Sequence, residues 1–190
     1  MSENIIDKKL LYIIFLSSLL SAQVSRIELP MDISETTFNK SIPKPIDVFN
    51  HYLGEQHTRT DQIIEYFYAV ANKSNRVVVE NHGTTHEGRK LIHAIITSAE
   101  NQNKLDEILK NNRNISLNPG KISKNTIKKM PVVAYFGYSV HGDEASGSEA
   151  AMLLLYHLSA GSSIGIRNYL NNIVLIIDPM LNPDGRDRFV

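Results

Sequence analysis

Residues 131–144 read PVVAYFGYSVHGDE, and residues 145–177 continue as ASGSEAAMLLLYHLSAGSSIGIRNYLNNIVLII. Pro131 to Val140 is a nearly continuous apolar run bounded by a charged turn, the pattern of a strand buried on both faces. Ala145 to Leu158 follows with good helix formers and apolar positions at Ala150, Ala151, Leu154, Leu155 and Leu158. A glycine-containing loop then leads to Ile173 to Ile177, read as a second buried strand. Strand, helix and strand in that order predict a right-handed parallel crossover. The fold class expected from this stretch is α/β, a mixed and largely parallel sheet with flanking helices.

Upstream, Val77-Val78-Val79 and Leu91 to Thr97 flank a turn-rich stretch from Asn81 to Arg89 that holds two glycines, so an antiparallel hairpin is predicted. Before it, Thr58 followed three places later by Asp61 is a capping signal. Ile63, Ile64, Phe67 and Val70 then repeat at helical spacing, and Asn72 to Asn75 ends that helix. Leu105, Ile108 and Leu109 form one side of a short helix, and Asn111 to Lys129, rich in Asn, Lys and Ser, is expected to be a long surface loop. Residues 23–57 are polar and broken by Pro30, Pro43 and Pro45, a loop-rich lead-in to a domain spanning 58–190. No internal repeat is evident.

Twenty basic and twenty acidic side chains cancel, so no net field draws the chain to nucleic acid or anionic lipid, and no nucleic-acid partner is expected. Cysteine is absent, which removes disulfides, thiolate metal sites, a thiol nucleophile and a lipid-anchoring cysteine together. Any metal must be held by histidine and carboxylate. Lys8 and Lys9 precede the apolar run Leu10 to Leu20, and Ser21, Ala22 and Gln23 follow. An apolar run of about 7–15 residues after a positive start fits a secretory signal, whereas a spanning helix needs about 20. Residues 1–22 are therefore expected to be a signal peptide, with a retained anchor as the alternative. The expected location is secreted or periplasmic, with no stable membrane association once the signal is removed.

His141-Gly142-Asp143-Glu144 sits where the first strand ends and the helix begins, and ligands of open α/β sheets bind outside the carboxyl ends of strands. A histidine and a carboxylate three residues apart across such a junction can converge on one point. Imidazole nitrogen and carboxylate oxygen are both zinc ligands; surface hydrogen bonding between them is the alternative reading. Asn182-Pro183-Asp184-Gly185 follows the second strand, also at its carboxyl end, and consists of turn formers. His86-Glu87-Gly88-Arg89 occupies the predicted hairpin turn. His82 and His86 are four apart, but the Gly83, Thr84, Thr85 and Gly88 around them argue for a turn instead of a helical ligand pair. His157 reads as a surface or packing residue, while His51, His57 and His93 have no partner pattern.

This combination resembles the M14 (carboxypeptidase A-like) zinc carboxypeptidases from about Thr58 to Val190. The resemblance rests on Glu87-Gly88-Arg89, on the strand into His141-Gly-Asp-Glu144, and on Asn182-Pro-Asp-Gly185 in that order. It implies that His141 and Glu144 are the first two ligands of a zinc ion, that the Asn-Pro-Asp-Gly segment shapes the floor beside the site, and that Arg89 is structural. It further implies a metallocarboxypeptidase acting on the C-termini of peptides or proteins. In the family the third zinc ligand, the arginine for the substrate carboxylate and the general-base glutamate all lie downstream of Asn-Pro-Asp-Gly. No catalytic residue is therefore expected within this chain, which reads as an N-terminal part of the domain, incomplete at its C-terminus and inactive alone. Asp143 departs from the arginine that some members carry between the ligands, which leaves the specificity open. A zinc amidohydrolase or deacylase of the same fold, or a non-catalytic exported fragment, are the alternative functions.

Overall fold

A computed structural model describes residues 37–190. The expected signal, residues 1–22, and residues 23–36 of the expected lead-in lie outside the described residues. In chain order the elements are α1 (Pro45–Phe49), α2 (Thr60–Ala71), β1 (Val77–Thr84), β2 (Lys90–Ile96), α3 (Ala99–Gln102) and α4 (Leu105–Leu117). A 3-10 turn (Pro119–Lys121) follows, then α5 (Lys124–Lys129), β3 (Val132–Gly137), α6 (Ala145–Ala160), α7 (Ile164–Asn172), β4 (Ile173–Asp178) and α8 (Pro183–Phe189).

The four strands form one mixed sheet in the order β1-β2-β4-β3. β1 and β2 are the expected antiparallel hairpin, running from Val77 opposite Ile96 to Thr84 opposite Lys90. The turn between them is possible because Gly88 takes a left-handed φ of 82°. β3 and β4 are the expected parallel pair, Val132 opposite Ile173 through Gly137 opposite Asp178. β2 and β4 join the two halves antiparallel, so within the described sheet parallel pairing is confined to β3 and β4.

β4 is buried on both faces, with Val174, Leu175 and Ile177 fully inaccessible. β3 corrects the expectation of a doubly buried strand. Among the described residues it has a strand partner on one side only, and Val132, Tyr135 and Phe136 are 67%, 55% and 41% exposed. An apolar run shows that a strand can be buried; position in the sheet decides whether it is.

Alternation along the strands splits the core. Ile95, Val174, Ile176 and Val133 pack with Leu105 and Ile108 of α4. Ala94, Ile96, Leu175 and Ile177 point the opposite way, and α6 contacts both β2 and β4. α2 packs on α6 and β1. Its Ile63, Tyr66, Phe67 and Val70 repeat at i, i+3, i+4 and i+7, all fully buried. Each such side chain contributes about 1.5–3 kcal/mol, so packing outweighs any start signal. The expected Thr58 cap is not used: the helix starts at Thr60, and Gln62 Oε1 accepts from Arg59 N at 3.1 Å.

Two stretches expected to be loops are helical. In Asn111 to Lys129, α4 runs on to Leu117, and α5 starts at a Ser123 side chain that accepts from Thr126 N. Its Asn, Lys and Ser composition is that of a mostly solvated face, α4 burying only Ile108 fully. Between α6 and β4 the expected loop is mostly α7, capped by Ser163 and buried through Ile166 and Leu170. The described part of the lead-in holds α1, with Pro45 at its first turn and Phe49 and Ile42 in the core. α1 ends at Asn50 with a left-handed φ of 61°.

Candidate metal site

β3 stops at Gly137, but its backbone continues to track the segment after β4. Tyr138 N donates to Asp178 O at 3.0 Å, Leu181 N to Tyr138 O at 2.9 Å and Asn182 N to Ser139 O at 3.2 Å. Ser139 sits at a left-handed φ of 51°, which turns the chain outward just before His141. Glu144 is the N-cap of α6, and Glu144 N donates to His141 O at 3.1 Å. The two side chains meet: His141 Nδ1 is 2.9 Å from Glu144 Oε1, while His141 N donates to Glu144 Oε2 at 3.1 Å. Both lie in the open, 72% and 52% exposed. The bond to Glu144 and the carboxylate's charge raise the His141 pKa, and the same bond lowers that of Glu144.

A neutral imidazole nitrogen and an ionised carboxylate oxygen, adjacent and reachable from solvent, fit the donor chemistry of zinc. They amount to two donors. Among the described residues, no group of three or more His, Cys, Asp or Glu side chains comes together to hold a metal.

The other histidines are elsewhere. His82 Nε2 lies 3.3 Å from buried Asp178 and its ring stacks on His93 at 5.1 Å, while His86 is in the exposed turn. His51 bonds Phe49 O and Thr58 Oγ1, and His57 packs on Phe189. His157 is buried, its Nε2 has no hydrogen-bond partner among the described residues, and burial lowers its pKa.

Asn182-Pro-Asp-Gly185, expected to be a turn, opens α8. Asn182 is the N-cap and its Oδ1 accepts from Gly185 N at 2.9 Å, with Pro183 at the first helical position. Gly142 lies hard against it: a Cβ on Gly142 would stand 2.0 Å from the Gly185 carbonyl carbon and oxygen. Asp184 reaches the hairpin turn, accepting from Thr85 Oγ1 at 2.7 Å and Arg89 Nη1 at 2.8 Å. Arg89 also bonds Glu87 at 2.5 Å and Asp187 at 2.6 Å, and Arg188 pairs with Glu87. Burial alone pushes the pKa of Asp184 and Asp187 up. Bonds from Thr85 and Arg89 to Asp184, and from Thr60 and Arg89 to Asp187, outweigh it and hold both below the usual value.

Sequence reasoning missed Arg186 and Glu149. Arg186 is fully buried and donates to Thr58 O, Ala145 O and Glu149 Oε1. The signal available was an arginine two residues beyond Asp184 with a glutamate inside an otherwise apolar helix, too common a pattern to mark a pair.

Solved structures with a similar chain path include the carboxypeptidase A from Helicoverpa armigera, with 20% identity, a TM-score of 0.46, and coverage of 69% of this chain and 26% of that one. Thrombin activatable fibrinolysis inhibitor aligns with 13% identity and a TM-score of 0.49, over 70% of this chain and 27% of its own. The chain thus spans about a quarter of the length of either. No curated protein matches it. The zinc carboxypeptidase family matches residues 63–189, well over half of the sequence, and the chain belongs to that family.

Proposed function

We propose that this chain supplies the first two protein ligands, His141 and Glu144, of a zinc centre in a metallocarboxypeptidase that hydrolyses the C-terminal bonds of peptides or proteins. The observation that carries the reading is the 2.9 Å approach of His141 to Glu144, exposed, at the carboxyl end of β3 in a chain of this family. Zinc, when bound, polarises the scissile carbonyl and brings the pKa of its water to about 7. This chain's own part is to hold an imidazole and a carboxylate side by side on the loop before α6, with Gly142 pressed against the start of α8.

A catalytic zinc takes three protein ligands, and two donors meet here. The 190-residue chain by itself is therefore expected to bind zinc weakly and to release C-terminal residues slowly or not at all. The apolar run behind Lys8 and Lys9 supports export to the periplasm or beyond. Among the described residues no helix is long and apolar enough to cross a membrane.

Zinc titration by calorimetry of the chain, beside His141→Ala and Glu144→Ala, tests the ligand assignment. Weak binding lost in both variants is expected. Nanomolar, stoichiometric zinc that survives both substitutions overturns it. Incubation with free and C-terminally blocked peptides tests the reaction: robust removal of C-terminal residues would mean that the machinery is already complete, and release of acyl groups from acylated amino acids would point to the deacylase alternative.

A further inference from the structure

The His141 and Glu144 side chains are 72% and 52% exposed, so burial does little to hold them in place. Their positions depend on the backbone that carries them. Between residues 138 and 145 that backbone is braced at its start by the main-chain bonds to Asp178, Leu181 and Asn182. At its end the brace is Arg186. Among the described residues, Arg186 Nη1 to Ala145 O, 3.2 Å, is the one side-chain hydrogen bond that reaches this backbone from outside the loop. Ala145 is the residue after Glu144 and the first of α6.

The same guanidinium donates through Nε and Nη2 to Thr58 O, at 2.9 and 2.7 Å, and through Nη2 to Glu149 Oε1 at 3.1 Å. Glu149 in turn accepts from Thr58 N at 2.9 Å and Thr58 Oγ1 at 3.0 Å. Three segments distant in sequence therefore meet on one planar fork: the entry to α2, the first turn of α6, and α8. Only an arginine offers donors in that fixed geometry. Between the two braces Gly142 lies so close to the Gly185 backbone that a Cβ there would stand 2.0 Å from its carbonyl group.

We infer that Arg186, with Glu149, is a positioning residue for the His141–Glu144 pair. It acts by fixing the first turn of α6, not by touching substrate. Its link to zinc rests on the functional reading above; its hold on the loop does not.

The test uses the whole chain carrying Arg186→Lys, which keeps the charge and loses the fork, and separately Glu149→Gln. Two measurements are made on each folded variant: zinc affinity, and amide hydrogen exchange across the domain. Loss of a group that orients metal ligands costs about 10- to 100-fold in affinity, and that drop is expected for Arg186→Lys. Exchange at residues 141–145 should quicken while β2 and β4 keep their protection. Unchanged affinity with unchanged local exchange overturns the proposal, and so does exchange that quickens evenly across the domain, the mark of a merely stabilising buried pair. Should Arg186→Lys not fold, Glu149→Gln is judged by the same two criteria. If the unsubstituted chain binds no zinc, the metal reading falls, and the local exchange of the variants still decides whether Arg186 positions the loop.

Discussion

Gly142 shows how a single missing atom sets the geometry around the candidate ligands. A Cβ added there would stand 2.0 Å from backbone, the carbonyl group of Gly185, which cannot rotate aside as a side-chain end can. Gly142→Ala must therefore push the loop off α8, and overpacking of this kind costs about 1–3 kcal/mol. A lowered urea midpoint with an unchanged slope is the expected result, and a midpoint equal to that of the unsubstituted chain would show that the two segments separate easily. His157 is the second residue with a consequence of its own. Burial lowers its pKa, so the folded state favours the neutral ring. Its contribution is whole above the unfolded value of about 6.5 and is lost as pH falls below that toward the folded value, because the unfolded chain then binds the extra proton. The melting temperature should decline on acidification from neutral through that window, and less so in His157→Phe, which removes both the proton site and an Nε2 without a partner among the described residues. Equal pH dependence in both proteins would assign the effect to other groups. Of the residues at the site, His141 and Glu144 were candidates from their spacing at a strand end together with the family resemblance, spacing alone being a weak signal. Arg186 was not, because its partners Thr58 and Glu149 are 128 and 37 positions away.

At the scale of elements, the hairpin turn and α8 are joined by charge. Arg89 bridges Glu87 in the turn and Asp184 and Asp187 in the helix, with Thr85 adding a neutral bond to Asp184. Both aspartates have folded pKa values below the ordinary one, so what they contribute is complete above about pH 4 and lost as pH falls through the folded values. Arg89→Ala should therefore flatten the acid limb of the stability curve and quicken amide exchange in residues 183–189 before the strands respond. An unaltered acid limb would mean that the cluster is too well solvated to matter. Strand β3, helix α6 and strand β4 were readable because apolar runs and helical periodicity are local signals. The helices in Asn111 to Lys129 and at Ile164–Asn172 were not: a helix lying on the surface buries one narrow stripe, hidden in the first by a composition rich in Asn, Lys and Ser and in the second by a short span that holds a glycine and three asparagines.

For the molecule as a whole, the sheet's arrangement decides which apolar groups face water. β3 sits at the edge of the described sheet with Val132, Tyr135 and Phe136 exposed, and an exposed apolar edge is a template for pairing with another chain. Light scattering of the chain should rise with concentration, and Val132→Lys, placing a charge on that edge, should suppress it; scattering that is insensitive to the substitution would locate self-association elsewhere. The sequence by itself determined the α/β class, the hairpin and the strand-helix-strand order that predicts the parallel β3 and β4 pair, since apolar runs, helical periodicity and turn formers are local signals; His141 and Glu144 were its candidate ligand pair through spacing together with the family resemblance. Only the tertiary structure decided that β4 is central and β3 marginal, that Asn182-Pro-Asp-Gly185 begins a helix braced on the hairpin turn, and that Arg186 locks the first turn of α6. Those outcomes depend on which distant segments become neighbours, and burial and long-range hydrogen bonds exist only once the chain has brought them together.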